Sequence, residues 1–276
     1  MEPDESKRWL TPGVGGIGAA SFLDDTGHEI ATSLLPRFLT GTLGAPAAAL
    51  GLIEGLADAA SGFLKLAGGA LADDPASRKA TAVGGYVTTS IFSSAVGLVG
   101  SVWTAGVLRA LAWGARGLRV PARNALLADG VHPSAYGRAY GFERAMDNLG
   151  AIAGPLLALL LVSLFSVRTA ILLSIVPGLM AAAAIVYAIR DIPKVTGKRR
   201  DGTGLKIRPV LRSRLGPVLR GVAAFEVGNV AVTLLILRAT EVLTDSRGLE
   251  RATQIALLLY LAYNLTGTLA SFLAGR

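Results

Sequence analysis

Long apolar runs divide the chain into segments long enough to cross a membrane. Four runs contain no Asp, Glu, Lys or Arg: Ala80 to Leu108, Asn148 to Val167, Thr169 to Ile189 and Ala252 to Gly275. A helix needs about 20 apolar residues to cross a hydrocarbon core of about 30 Å. Each run reaches that length, so each predicts a transmembrane helix.

Four further segments are apolar and of helix length but carry a few charged residues. They lie at about 17–38, 46–72, 105–128 and 217–239. The links at 39–46 and 99–104 are uncharged. Together the runs predict eight transmembrane helices, six before a long polar segment and two after it, in an all-α membrane protein.

The composition agrees with a membrane protein and limits the chemistry. Hydrophobic residues make up 52% of the 276 positions, charged residues only 17%, and the mean hydropathy is +0.53. A soluble domain of ordinary composition is less apolar. The chain has no cysteine, which excludes disulfides and thiolate metal sites, and its histidines are His28 and His132. No nucleophile, base and orienting group can be assembled from its motifs. We therefore expect no metal, no cofactor and no enzymatic activity.

The positive charge of the chain is concentrated in one loop. Segment 190–220 holds ten Lys or Arg against Asp191 and Asp201, so 10 − 2 = +8, which equals the net charge of the whole chain. By the positive-inside rule this loop is cytoplasmic. We therefore expect the N-terminus on the cytoplasmic side of a plasma or inner membrane. We expect no nucleic-acid partner; binding of the loop to anionic lipid or RNA is the alternative.

Charged residues inside the apolar segments are the first indication of function, because a charge at the bilayer centre costs at least about 2.5–3.5 kcal/mol unless it meets a partner or water. Three acid pairs have i,i+4 spacing and share a helix face: Asp25 with Glu29, Glu54 with Asp58, and Glu143 with Asp147. Arg109 and Arg116, two turns apart, can neutralise such acids. The alternative is that some charges lie at helix ends in the headgroup zone, which we expect for Lys65, Arg119, Arg123 and Glu143.

An internal repeat relates the two sides of the basic loop. A shift of 201 residues places Asp25 on Glu226, Thr32 on Thr233 and Arg37 on Arg238, and a shift of 206 places Asp58 on Asn264. Corresponding helices of the two copies are six predicted helices apart along the chain, so both copies cross the membrane in the same direction. This is the parallel repeat of transporters built from two halves.

The stretch GGALADDPASRK at 68–79 resembles the loop after the second helix in the major facilitator superfamily. Gly69 and Asp73 match that loop's glycine and aspartate, and Arg78 and Lys79 match its terminal basic residues. The sequence departs from the pattern at Asp74, where a basic residue is expected, and at Ala76, where glycine is expected.

Two more stretches are similar to this superfamily. Segment 108–129 resembles its fourth helix, with Arg109 in the place of the embedded arginine, and segment 141–155 resembles its fifth helix. The motif in that fifth helix consists of Gly150, Gly154 and Pro155. Two glycines on one face allow a neighbouring helix to approach closely, and the proline bends the helix. The motif is similar to one of antiporters and favours export; ordinary small-residue packing is the alternative.

The resemblance implies the organisation of the whole chain. It predicts a cytoplasmic tail at 1–15, a six-helix bundle at 16–190, a basic cytoplasmic linker at 191–216 and two helices of a second bundle at 217–276. Superfamily members usually have six plus six helices, and Gly275 stands at the first position of the second copy of the loop motif. We therefore expect a fragment, a split gene or a truncated reading frame, completed by further helices or a second polypeptide.

The same resemblance predicts alternating access around a cavity lined by the first, fourth and seventh helices. The candidate substrate and proton-coupling residues are Asp25, Glu29, Asp58, Arg109, Arg116, Asp147 and Glu226. Competition between a proton-bearing acid and the substrate for one arginine would couple proton movement to substrate movement. We expect proton-coupled export of a small organic solute. The alternatives are import of an anionic metabolite, if Arg109 and Arg116 bind it, and a truncated or regulatory membrane protein that transports nothing.

Overall fold

The computed structural model describes residues 9–193, 212, 216–227 and 230–274. Side chains are described at these positions except 219, 222, 223, 226, 227 and 267–274. Most of the predicted basic linker therefore lies outside the described residues. The described part of the chain consists of helices joined by turns, and it contains no β-strand. The prediction of an all-α fold is confirmed.

The first half contains seven helices in the described residues. They are α1 (Pro12–Arg37), α2 (Ala47–Ala72), α3 (Pro75–Ala95), α4 (Val102–Asp129), α5 (Tyr136–Leu164), α6 (Val167–Leu173) and α7 (Ile175–Asp191). The short α6 and α7 meet at Ser174 and together occupy the predicted sixth span. By length and composition alone, three of these helical segments can cross a membrane: Ala47–Ala72, Pro133–Leu164 and Val167–Asp191.

Local capping explains where several helices begin. The Thr11 hydroxyl accepts a hydrogen bond from the Val14 N–H at 3.2 Å, directly before Pro12 at the first helical position. Asp74 is the N-cap of α3, and its carboxylate accepts a hydrogen bond from the Ala76 N–H at 3.0 Å. The aspartate that departs from the superfamily loop pattern therefore has a local structural role as a helix cap.

The second half differs from the prediction at its first helix. A single helix was expected at 217–239, but the structure has two, α8 (Gly216–Val227) and α9 (Val232–Arg247), followed by α10 (Leu249–Ala274). That prediction is wrong. Gly228 and Asn229, two residue types of low helix propensity, stand between α8 and α9 in the sequence, and a hydropathy pattern does not register them.

Two apolar clusters enclose a charged layer. We call the end of the bundle with the α1–α2 and α3–α4 turns the outer end, and the opposite end the inner end. The outer cluster includes Ile30, Leu34, Phe38, Leu50, Ala105, Ala158 and Ile171. The inner cluster includes Val14, Ile17, Ala82, Tyr86, Leu126, Ala139 and Ile185. On α1, α4 and α5 the buried charges lie between these clusters, so apolar packing borders the charged layer on both sides.

Helices α9 and α10 close the outer end. Their side chains Ile236, Leu237, Leu257 and Tyr260 belong to the outer cluster, and they contact α1, α2 and α5. No residue of these two helices belongs to the described inner cluster. The two halves are therefore packed together at the outer end of the described structure.

Candidate functional site

The charged layer is built mainly from the facing sides of α1 and α4. The pairs, in order from the outer end, are Thr32 with Arg109, Asp25 with Arg116, Asp24 with Arg119 and Ser21 with Arg123. The two helices run in opposite directions, so partners that lie progressively nearer the N-terminus of α1 pair with arginines progressively nearer the C-terminus of α4. The arginines of α4 are three, four or seven residues apart, a spacing that keeps them on one side of the helix.

Arg109 is fully engaged by its neighbours. Its Nε and one terminal nitrogen donate to the two carboxylate oxygens of Glu54 at 3.0 and 3.2 Å, a bidentate arrangement, and the Thr32 hydroxyl accepts at 3.2 Å. The guanidinium carbon also lies 3.4 Å from the ring centroid of Trp113. The predicted site residue Arg109 is thus a buried link between α1, α2 and α4.

Asp24 and Asp25 share two arginines. Asp25 accepts a hydrogen bond from Arg116 at 2.7 Å, and the other terminal nitrogen of Arg116 lies 3.5 Å from Asp24. Asp24 is bonded to Arg119, whose guanidinium stacks on the ring of Tyr86 at 3.9 Å. The sequence identified Asp25 and Arg116 but missed Asp24. The signal that could have found it is the continuation of the arginine stripe at Arg119, one step from Arg116.

Arg123 connects α4 with α5. It lies 2.7 Å from Glu143 and 3.9 Å from Asp147, and Arg144 lies 2.8 Å from the other oxygen of Asp147. Arg119, Arg123 and Glu143, expected in the headgroup zone, are buried inside the bundle, at 1%, 8% and 5% exposure; their depth in the membrane stays a prediction. Each meets an opposite charge on a facing helix, and such pairing makes burial of a charge tolerable.

The two motif glycines of α5 are the places where α1 comes closest. A Cβ atom at Gly150 would lie 2.5 Å from the carbonyl oxygen of Phe22 and 2.9 Å from the Cβ of Asp25. A Cβ at Gly154 would lie 2.3 Å from the Cβ of Glu29. The close approach predicted for the motif is therefore an approach of α1, at the two acids predicted to carry function. Pro155 is buried beside them.

Glu29 joins the first half to the second. One carboxylate oxygen accepts a hydrogen bond from the Tyr260 hydroxyl of α10 at 2.6 Å, and the other lies 3.6 Å from Nε2 of His28. Nearby, the side-chain amide of Asn264 donates to the carbonyl of Ala151 at 3.1 Å. Tyr260 was not predicted, because a tyrosine in an apolar helix carries no signal of its own.

The other predicted acids have different positions. Asp58 is exposed and accepts a hydrogen bond from the indole N–H of Trp113 at 3.2 Å. The ring of Trp113 also stacks with the His28 ring at a centroid distance of 4.2 Å. The side chain of Glu226 lies outside the described residues.

A polar cavity of about 500 Å³ opens on the inner half of the charged layer. It is lined by Ser61, Lys65, Arg116, Val120, Arg123, Asn124, Tyr140, Gly141, Glu143, Arg144 and Asp147. The predicted residues Arg116 and Asp147 thus face it, and Lys65 is exposed there. Its volume lies in the range of pockets that hold small organic molecules.

The predicted conformational motif ties helix ends together at the inner end. Arg78 donates to the Ala72 carbonyl and pairs with Asp129 at the end of α4, both at 2.6 Å. Lys79 donates to the carbonyl of Ile189 at 3.1 Å, near the end of α7. At the end of α2, the Asp73 N–H donates to the Gly69 carbonyl at 3.1 Å. Asp129 was not among the predicted residues.

Comparison with protein families identifies the chain. The sequence profile of the Major Facilitator Superfamily matches residues 17–276, nearly the whole chain. The chain belongs to this superfamily of membrane transporters. The family resemblance inferred from the loop and helix motifs is thereby confirmed.

Two curated relatives of this superfamily member are uncharacterised. It is 30% identical over 267 residues to the MFS-type transporter MJ1317 of Methanocaldococcus jannaschii, a match that covers 95% of this chain and 65% of the relative. It is 28% identical over 180 residues to protein Rv2265 of Mycobacterium tuberculosis, covering 64% of this chain and 44% of that protein. The chain thus spans less than two thirds of the length of these relatives.

Solved transporters share the fold. The chain superposes on the crystal structure of a D-xylose-proton symporter with a TM-score of 0.55 and 17% identity, covering 95% of this chain and 66% of the symporter. A POT family transporter in complex with 5-aminolevulinic acid gives a TM-score of 0.60 with 12% identity, covering 83% of this chain and 50% of the transporter. At these identities the likeness concerns the fold.

Proposed function

We propose that this superfamily member is a secondary transporter that moves a small organic solute by alternating access, coupled to protons and working as an exporter. The observation that carries the proposal is the polar cavity beside the inner half of the charged layer, together with the apolar cluster that packs the two halves at the outer end. Such a cavity admits a solute from one side of the membrane at a time, which alternating access requires.

The acids and arginines of the charged layer support coupling to protons. Substrate and proton coupling are assigned to Asp25, Glu29, Asp58, Arg109, Arg116, Asp147 and Glu226. Buried carboxylates beside arginines can exchange a proton for a charged partner, because either one neutralises the site. That a D-xylose-proton symporter shares the fold is consistent with this assignment.

Export rests on the motif of Gly150, Gly154 and Pro155, which is similar to that of antiporters. Its contacts with α1 place it at the acids of the charged layer. The second candidate function is import of an anionic metabolite. The observation that favours it is the lining of the cavity, which has four cationic side chains, including Lys65 and Arg116, and two acidic ones.

The membrane placement belongs to the same proposal. The basic segment 190–220 supports a cytoplasmic linker and N-terminus, in a protein that we propose lies in the plasma or inner membrane. The inner end of the bundle is then cytoplasmic, and the cavity opens to the cytoplasm. Further helices, or a second polypeptide, would complete the wall of the cavity opposite α2 and α5.

The experiment uses the chain isolated in mild detergent from its native membrane, with any polypeptide that accompanies it, and reconstituted in liposomes. Sugars, amino acids, short peptides and organic acids are tested for movement driven by an imposed pH gradient. We expect the gradient to drive at least one of them, and a protonophore to abolish that flux. If no solute of any class moves faster than through protein-free liposomes, the proposal is wrong.

A further inference from the structure

The acids of the charged layer are not equivalent. Asp25 and Asp24 pair with Arg116 and Arg119, Glu54 pairs with Arg109, and Glu143 and Asp147 pair with Arg123 and Arg144. Glu29 differs: in the part of the chain that the structure describes, the basic side chain within 4.0 Å of its carboxylate is the imidazole of His28. Glu29 is thus the acid of the layer whose main partner, Tyr260, is neutral.

That partner lies on the other half of the molecule. The Tyr260 hydroxyl approaches Glu29 to 2.6 Å, and the two residues are 6% and 8% exposed. This distance is typical of a hydroxyl that donates to an ionised carboxylate. Such charge-assisted bonds are about twice as strong as neutral ones. The strength of this link between the two halves therefore depends on whether Glu29 carries a proton.

The charged groups around Glu29 come from α1, α2 and α4. Asp25 and His28 lie on its own helix, and Glu54 of α2 with Arg109 and Arg116 of α4 act on it electrostatically. From α5 the nearest residue is Gly154, which has no side chain to offer. Both arginines are already hydrogen-bonded to other acids, so neither replaces Tyr260 as a direct partner.

The Glu29–Tyr260 bond lies at the inner edge of the outer closure. Tyr260 belongs to the outer cluster with Leu257 and Ile236, and this cluster joins α9 and α10 to α1. Opening of the outer end requires α10 to leave α1, and this movement breaks the bond. The strength of this bond depends on whether Glu29 is protonated. Because the bond must break during opening, it can make the opening depend on pH.

We propose that Glu29 is a proton-responsive group of this transporter and that its hydrogen bond to Tyr260 controls the opening of the outer end. The inference deepens the proposed function and rests on it. Ionised Glu29 holds the outer end closed through a charge-assisted bond. A proton on Glu29 weakens that bond and favours opening.

The test measures distance at the outer end rather than flux. The chain lacks cysteine, so Thr42→Cys and Ser246→Cys, at two exposed outer positions, can carry spin labels in lipid nanodiscs. We expect the mean distance between the labels to increase from mildly alkaline to mildly acidic pH. Glu29→Gln should give the longer distance throughout, without pH dependence. Tyr260→Phe should do the same without altering the acid.

The matched control is Tyr263→Phe, which removes an exposed hydroxyl one turn along α10 and should leave the pH response unchanged. A normal pH response in both Glu29→Gln and Tyr260→Phe would overturn the inference, as would its loss in Tyr263→Phe. Absence of solute flux with the predicted distance changes intact would instead refute the transport proposal, so the two failures are distinguishable.

Discussion

Arg116 stands at the boundary between the charged layer and the cavity. It holds Asp25 at 2.7 Å, yet 22% of its side chain remains exposed where it lines the cavity wall. Arg109, two turns away, is buried and bonded to Glu54. Of the two arginines predicted to meet a solute, Arg116 is therefore the one in position to do so, and Arg109 fixes the relative positions of helices.

The Asp25–Arg116 pair leads to a prediction about stability. Asp25→Asn should lower the yield of folded protein, because removing one partner of a buried ion pair costs about 3–5 kcal/mol. The exposed part of Arg116 places the effect toward the lower end. Size-exclusion profiles of the protein in detergent measure the folded fraction.

The control for this prediction is Asp58→Asn, a change at an exposed carboxylate that should reduce the yield less. The double variant Asp25→Asn with Arg116→Gln should recover part of the loss, since it leaves no unpaired buried charge. A folded fraction for Asp25→Asn equal to that of the unmodified protein would show that the pair does not stabilise the bundle.

At the scale of residues, the sequence indicated the acids with regular spacing, but it did not indicate residues whose role comes from a contact with a distant helix. The i,i+4 pairs led to Asp25, Glu29 and Asp147, because a helix face can be derived from spacing alone. Tyr260 could not be derived, since its role comes from a contact between residues 231 positions apart. Pairing across helices depends on their packing, which single-sequence periodicity does not contain.

The contact between α1 and α5 depends on the absence of side chains at two glycines of α5. The Cβ atom that Gly154 lacks would lie 2.3 Å from Glu29 Cβ and 2.9 Å from the Thr26 carbonyl oxygen. Backbone and Cβ atoms cannot rotate away as the end of a long side chain can. The two helices would have to separate, and the acids of α1 would move with them.

Gly154→Ala should therefore destabilise the protein by about 1–3 kcal/mol, the usual cost of overpacking. Gly141→Ala on the same helix is the matched control, because an added Cβ there has open space within 4 Å. Thermal unfolding of the two variants in detergent compares them directly. Equal melting temperatures would mean that the close approach of α1 and α5 is unimportant for the fold.

The helices themselves were largely predictable, because membrane crossing requires long apolar runs and such runs are visible in any sequence. The first two helices lie close to their predicted bounds: they were expected at about 17–38 and 46–72 and occur at Pro12–Arg37 and Ala47–Ala72. The break between α8 and α9 was missed. Hydropathy averages over a window, so it does not detect where low helix propensity interrupts an apolar run.

Across the whole molecule, the orientation in the membrane is a prediction open to a chemical test. Cysteine placed at Ser134, in the inner turn between α4 and α5, should resist a membrane-impermeant thiol reagent in intact cells. Cysteine at Thr42, at the outer end, should react. Both positions are exposed, so access to the reagent depends on the side of the membrane. The reverse labelling pattern would contradict the cytoplasmic N-terminus.

The conformational state of the molecule could not be predicted from the sequence. Superfamily membership implied two halves around a cavity, but the end at which they meet depends on which apolar faces touch. In the structure Leu257 and Ile236 complete the outer cluster, and the cavity beside Arg116 opens on the inner half. One sequence encodes every state of a transporter, so periodicity cannot select one of them.

Alternating access makes one demand that can be measured without knowing the solute: the two ends must move reciprocally. Spin labels on cysteines at Thr42 and Ser246 report the outer end, and labels at Arg138 and Thr266 report the inner end. The account predicts that changes of pH or addition of solutes lengthen the outer distance as the inner distance shortens, with the two populations shifting together. Distances that stay fixed, or that lengthen at both ends at once, would contradict alternating access in this protein.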